Sequence, residues 1–203
     1  MIRLISWLSV VLLLNVNAGV LVYKLWYKPL KVHNLELKEA AELKDFTIKA
    51  MNIAPAARLS DSKKKILADK IVSTVMRNIE GKESRESYIS MLKIESNFEN
   101  SVKSPMSAVG IGQIMPTTFK YAAEKCNLKV TAEDIYNEDL NILVGSCYYN
   151  ILLTENEYNP RLAAISYNGG PKTVAALKKL SNMNLESANY FTKMQYVKEL
   201  ARR

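Results

Sequence analysis

The stretch SRESYISMLKIESNF, residues 84–98, decides how the chain is read. Ser84 is a candidate N-cap, and Tyr88, Met91 or Leu92, and Glu95 follow at spacings of three and four, which places them on one face of a helix. Glu95 therefore sits on an apolar stripe near the C-terminal end of that helix. Partial desolvation and the negative end of the helix macrodipole both favour its protonated form. A general acid needs that setting. A helical glutamate also commonly just reaches solvent or a nearby backbone group, and spacing alone leaves the two readings side by side.

The next segment, SAVGIGQIMPTT at residues 107–118, interrupts the helical pattern with two glycines and a proline. Gly110 and Gly112 let the backbone bend or approach a ligand, which leaves Gln113 in a non-helical segment where its amide can point into a groove. Pro116 fits the first turn of a helix running to about Lys125 and biases Met115 towards an extended backbone. A phosphate cradle would need a preceding strand or a G-K-S/T ending, and neither is present.

Helical signals continue on both sides. Residues 35–52, LELKEAAELKDFTIKAMN, combine strong helix formers with mixed charges and read as a solvated spacer; Pro55 ends it within the linker IAPAARLSDS. Asp61 or Ser62 then caps a helix carrying Leu67, Ile71, Val72, Val75, Met76 and Ile79, which ends at Gly81. Downstream, residues 139–158 read as a core helix, 160–167 as a shorter one stopped by Asn168 and Gly169, and further helices start at Pro171 and near Glu186. No strand-length alternation or internal repeat stands out, so the fold class is mainly α.

Residues 1–27 contain an apolar run from Leu4 to Tyr23, long enough to cross a bilayer as a helix. A cleaved signal peptide ending near Ala18 is the rival reading. The expected organisation is a membrane helix or signal anchor at 1–27, a helical spacer and linker at 28–60, and a compact helical domain at 61–203. Residues 1–84 hold 14 Lys or Arg against 8 Asp or Glu, and residues 85–203 hold 14 against 12, so the net charge of +8 collects beside the membrane segment. Anionic headgroups suit Lys24, Lys28 and Lys31. There is no Arg-rich stripe, finger spacing or aromatic-basic interleave, and nucleic acid is not an expected partner.

Two cysteines, Cys126 and Cys147, are too few for a disulfide scaffold or a zinc site, and either one bridge or two buried thiols fits them. His33 is the only histidine, which removes Ser-His-Asp and Cys-His hydrolysis and His-ligated metals.

Three segments together resemble the catalytic domain of the soluble-lytic-transglycosylase family. ESNF at 95–98 is similar to its E-S-x-F, SPMSAVGIGQIMP at 104–116 to its S-x-x-G-A-x-G-L-M-Q-I-M-P, and SYNGGP at 166–171 to its A-Y-N-A/G-G-P. NILVGSCYY and ESANY match two further elements, so the resemblance covers about residues 65–200. Ser107, Gly112, Ser166 and Ser187 depart from the pattern; losing a side chain at Gly112 is expected to widen a sugar subsite.

The resemblance implies a lysozyme-like domain that cleaves the MurNAc-GlcNAc bond of peptidoglycan with no cofactor or metal. Glu95 would protonate the glycosidic oxygen and then take a proton from the muramoyl 6-hydroxyl, which closes on the anomeric carbon as a 1,6-anhydro end. Ser104, Gln113 and Met115 would meet the sugars, Tyr167 would orient Glu95 or contact the sugar, Asn168 would shape its loop, and Glu186 would line the groove. Rival readings are a goose-type-lysozyme-like hydrolase using water, and a non-catalytic glycan-binding subunit of a secretion, conjugation or virion assembly. The expected place is the bacterial inner membrane with the C-terminal domain in the periplasm, against the bias of the lysines after the span; a phage virion protein is the alternative.

Overall fold

A computed structural model describes the backbone of residues 28–180 and 185–203, with side chains described there except at 28, 30 and 177–188. The membrane helix expected at 1–27 lies outside the described residues; among those described, no helix is long and apolar enough to cross a membrane.

The described chain is mainly helical. In order come α1 (Lys28–Asn52), α2 (Asp61–Asn78), α3 (Lys82–Ser96), α4 (Pro116–Lys125), a 3-10 turn (Glu133–Tyr136), α5 (Glu138–Glu155), α6 (Pro160–Gly169), α7 (Pro171–Leu180) and α8 (Leu185–Arg202). The chain divides into two compact units, Met1–Ala41 and Glu42–Arg203. Of the first unit the structure describes one turn after another of exposed helix from Lys31 to Lys38. The second holds the packed core.

α3 is its central helix and packs against α2, α6 and α8. Tyr88, Ile89, Met91 and Leu92 are buried on it, and the Tyr88 ring lies 5.5 Å from that of Tyr149 on α5. Each buried apolar side chain of this size contributes about 1.5 to 3 kcal/mol, so this layer sets where α3 can lie. Leu43, Phe46, Thr47, Ala50 and Met51 of α1 are buried as well, at the spacing of one helical face.

The caps differ from the sequence expectation. Ser60 starts α2 and accepts from the Lys63 N–H, ahead of Asp61 and Ser62. Gly81, at φ 79°, starts α3, so Ser84 is a buried first-turn residue and not the cap. The left-handed backbone of Gly81 turns the chain there without any side-chain bond. Pro116 opens α4 and Pro171 opens α7, as their fixed φ suits a first turn.

Candidate active site

α3 ends abruptly. Asn97 at φ 54° caps it, and Phe98 at φ 61° continues in the left-handed region. This puts Glu95 and Ser96 on the last turn, beside a loop built by residues 103–114. Two antiparallel bridges, Lys103 with Val109 and Val109 with Ile114, make that loop a small twisted ribbon.

The loop is fastened from three helices. Ser96 of α3 donates its hydroxyl to the Ile111 carbonyl at 2.7 Å. Asn141 of α5, fully buried, accepts from the Gly112 N–H at 2.8 Å and donates to the Val109 and Ile135 carbonyls at 3.0 and 2.9 Å. Tyr167 of α6 donates to the Gly112 carbonyl at 2.8 Å. An amide with both N–H groups and its oxygen engaged in a dry interior is costly to replace, so the bend is over-determined.

The glycines in and behind the loop answer to close approaches of this kind. A Cβ on Gly110, which sits at φ 78°, would fall 2.5 Å from Asn141 Nδ2. One on Gly145 would fall 2.6 Å from the Tyr88 hydroxyl. At Gly112 the neighbours are the Tyr167 hydroxyl at 3.1 Å, Ile114 at 3.2 Å and Asn141 at 3.3 Å. Gly112 is buried, so a side chain there would point into packed atoms. The expectation that Gly112 opens the cleft wall is therefore corrected: its smallness serves the pinned loop.

Glu95 is half-buried against this frame. Its Oε1 accepts from the Tyr190 hydroxyl of α8 at 2.7 Å. Burial pushes the Glu95 carboxyl above the ordinary carboxylate range, and the Tyr190 bond opposes that rise. Tyr190 itself is buried, and desolvation first, then the neighbouring Glu95, hold its phenol well above the ordinary value. It stays a donor at any working pH. Tyr167 is likewise raised by burial.

The other predicted residues fall as follows. Gln113, at φ 46°, folds its amide back: Nε2 donates to the carbonyls of Val102 and Gly110 at 3.0 and 2.9 Å, so its nitrogen is committed to the loop. Ser104 Oγ accepts from the Ala108 N–H at 3.0 Å and keeps its own hydrogen. Met115 is 36% exposed at the start of α4, and Asn168 is exposed near the end of α6. Glu186 stands in the first turn of α8, where side chains are not described. Tyr167 contacts Gly112 and lies 5.3 Å from the Tyr148 ring, while the bond to Glu95 comes from Tyr190. Behind Tyr148 is an open depression of about 230 Å³ lined by Thr117, Thr118, Tyr121, Tyr148 and Pro171. A larger cavity of about 360 Å³, lined by Phe119, Ala123, Leu128 and Val130, holds none of the motif residues except Pro116. Cys126 and Cys147 are paired as a disulfide with Cα atoms 6.5 Å apart.

Tyr190, Asn141 and Ser96 are the residues that the site reading by sequence left without a role. Each lies inside a quoted motif, and only the contact shows what it does.

The transglycosylase SLT domain family matches residues 75–190, more than half of the chain. This chain belongs to that family. No curated protein matches it. Among solved structures, the SLT domain fold is shared with the 70 kDa soluble lytic transglycosylase SLT70 from Escherichia coli, with a TM-score of 0.61 and 15% identity over 82% of this chain and 30% of that one. It is also shared with an inactive glutamate-to-glutamine mutant of lytic transglycosylase Slt from Pseudomonas aeruginosa, at 0.55 and 20% over 74% and 24%. The chain thus spans about a third or less of the length of those proteins. At these identities the likeness concerns the SLT fold, which accounts for a mainly helical, lysozyme-like unit with α3 at its centre.

Proposed function

We propose that the chain is a peptidoglycan lytic transglycosylase in which Glu95 serves as both acid and base. The observation that carries this is the half-buried Glu95 carboxyl, raised in pKa and held through Oε1 by one neutral donor among the described residues, Tyr190. With Oε1 occupied, the transferable proton rides on Oε2. Glu95 gives it to the glycosidic oxygen as the bond to the muramoyl anomeric carbon breaks. The resulting carboxylate takes the proton of the muramoyl 6-hydroxyl, whose oxygen closes on the same carbon. No water enters, and the second carboxylate that ordinary glycosidases require has no task.

Gln113 Oε1 accepts from a sugar N–H or hydroxyl, and the Ser104 hydroxyl donates to one. Met115, Tyr167, Asn168 and Glu186 border the same groove in this reading. The Pseudomonas structure supports the choice of residue type, because its inactive form replaces a glutamate by glutamine.

The Cys126–Cys147 disulfide supports export, since disulfides persist in oxidising compartments. In this proposal residues 1–27 anchor the chain in the inner membrane with the domain in the periplasm. Digestion of purified peptidoglycan followed by mass spectrometry tests the reaction: 1,6-anhydro ends are expected, and reducing muramic acid ends would replace this reading by a hydrolase. Protease protection in spheroplasts tests the placement, with cleavage of the domain from outside expected.

A further inference from the structure

The family match begins at residue 75, yet α3 is held partly from outside that match. Lys93, two residues before Glu95, is only 7% exposed. Its ammonium donates to the carbonyls of Ile53 and Pro55 at 2.7 and 2.6 Å and to Asn97 Oδ1 at 2.6 Å. Asn97 in turn donates through Nδ2 to the Ala56 carbonyl at 3.2 Å. Residues 53–56 are thereby clasped to the last turn of the helix that carries Glu95. The same segment is fastened from its own side by Lys64, which donates to Asn52 Oδ1 at 2.7 Å, and by the Ala57 N–H on the Met51 carbonyl at 2.8 Å.

Burying an ammonium among neutral acceptors is expensive, and an apolar side chain would fill the same volume. The charge does something packing cannot: it gathers three oxygens at one point beside the turn. That turn needs holding. Asn97 and Phe98 are consecutive left-handed residues, a conformation costing roughly 1 to 2 kcal/mol each, and such backbone persists only where its surroundings over-determine it. Where the turn falls decides where α3 stops, hence where Glu95 points and where Ser96 meets the Ile111 carbonyl.

We propose that residues 42–60, acting through Lys93 and Asn97, are a brace that positions Glu95 and the 110–113 loop. Lys93 and Asn97 are positioning residues that touch no substrate. The brace acts on the site assigned under the proposed function, and it is tested so that the two can fail separately.

The test uses the full chain. Asn97→Gly keeps the left-handed turn accessible but removes the side-chain bonds to Lys93 and Ala56. Lys93→Met keeps most of the stem and removes all three ammonium bonds. Hydrogen exchange at the loop amides of Gly112 and Ile114 is expected to quicken about 10-fold in both variants. Turnover on peptidoglycan strands is expected to fall about 10- to 100-fold, with KM changed less than about two-fold. A purely structural role would speed exchange at Asn97 and Phe98 and lower Tm, while the loop amides and kcat stay as in the wild type. That pattern in Asn97→Gly overturns the brace, even if Lys93→Met does not fold. A loop that responds in a chain whose wild type makes no anhydro ends keeps the brace and removes the proposed reaction.

Discussion

Glu86 and Glu95 stand on the same helix and face the same partner, α8, yet their surroundings differ in kind. Glu86, 3% exposed, receives both Nε (3.0 Å) and Nη2 of Arg202. Beside it Lys198, almost fully buried, donates to Ser87 at 3.1 Å and lies 3.5 Å from Glu83. Glu95 receives one neutral hydroxyl from Tyr190. The pairs 86 with 202, 87 with 198 and 95 with 190 show that α8 runs antiparallel to α3. One end of this contact is fastened by full charges, and the other leaves a carboxyl under-supplied. A carboxylate committed to a guanidinium fixes two helices. A carboxyl whose partner among the described residues is a phenol can carry a proton and release it.

The largest effect expected is at the under-supplied end. Glu95→Gln should lower cleavage by about 1000-fold or more in a zymogram or muropeptide assay, within the range a positioned acid-base supplies. The same change should raise Tm at neutral pH. A carboxyl whose folded pKa is raised gives stability that is complete below its unfolded pKa and lost as pH climbs through the folded one. Glutamine has no such loss, so the gain over wild type should vanish in acid. A wild-type rate in Glu95→Gln would erase the contrast between the two glutamates.

Arg202→Ala addresses the fastened end and should cost about 2 kcal/mol in denaturant unfolding. Breaking a fully buried pair costs more, but the Arg202 side chain is 51% exposed. Rate should fall less than stability, because Tyr190 is more than three turns away on α8. Tyr190→Phe is the milder change at the other end, with turnover expected to drop about 10-fold. It removes the Tyr190 bond, which lowers the Glu95 pKa, so the pH at which activity fades on the alkaline side should move upward. A pH–rate profile of the variant that shifts downward would show that Tyr190 is not what restrains that carboxyl.

What the sequence could disclose was local. The stripe from Tyr88 to Glu95 lies within one helix, and the bend at Gly110 and Pro116 lies within one loop, so period and residue type suffice for both. The partner of Glu95 lies 95 positions away on α8, and nothing in the spacing of ESANY says which tyrosine of the chain will arrive. Gln113 is polar in a polar-looking bend, and only the fold shows that Val102 and Gly110 take its N–H groups. Gly112 reads as an opening until Asn141 and Tyr167 are seen around it. In α1, Leu43, Phe46, Ala50 and Met51 alternate with Lys44, Asp45 and Lys49, so charge masks the face that packs.

The smallest expected effect decides whether one carboxyl is enough. Glu99 is the next acid after Glu95 in the chain and is half-buried, so a two-carboxylate mechanism would look to it first. The chain reverses through Asn97 and Phe98 before reaching it, and its N–H returns to the Ser96 carbonyl at 3.1 Å. Among the described side chains, burial and Tyr190 alone move the Glu95 proton. Glu99→Gln should therefore leave turnover within about two-fold, since a polar surface change away from the reacting atoms touches neither acid nor nucleophile. A loss of the size a catalytic base supplies, about 100-fold or more, would mean that Glu99 activates water. Because the nucleophile would then no longer come from the substrate, the products of that variant's wild type should carry reducing ends, and the two measurements have to agree.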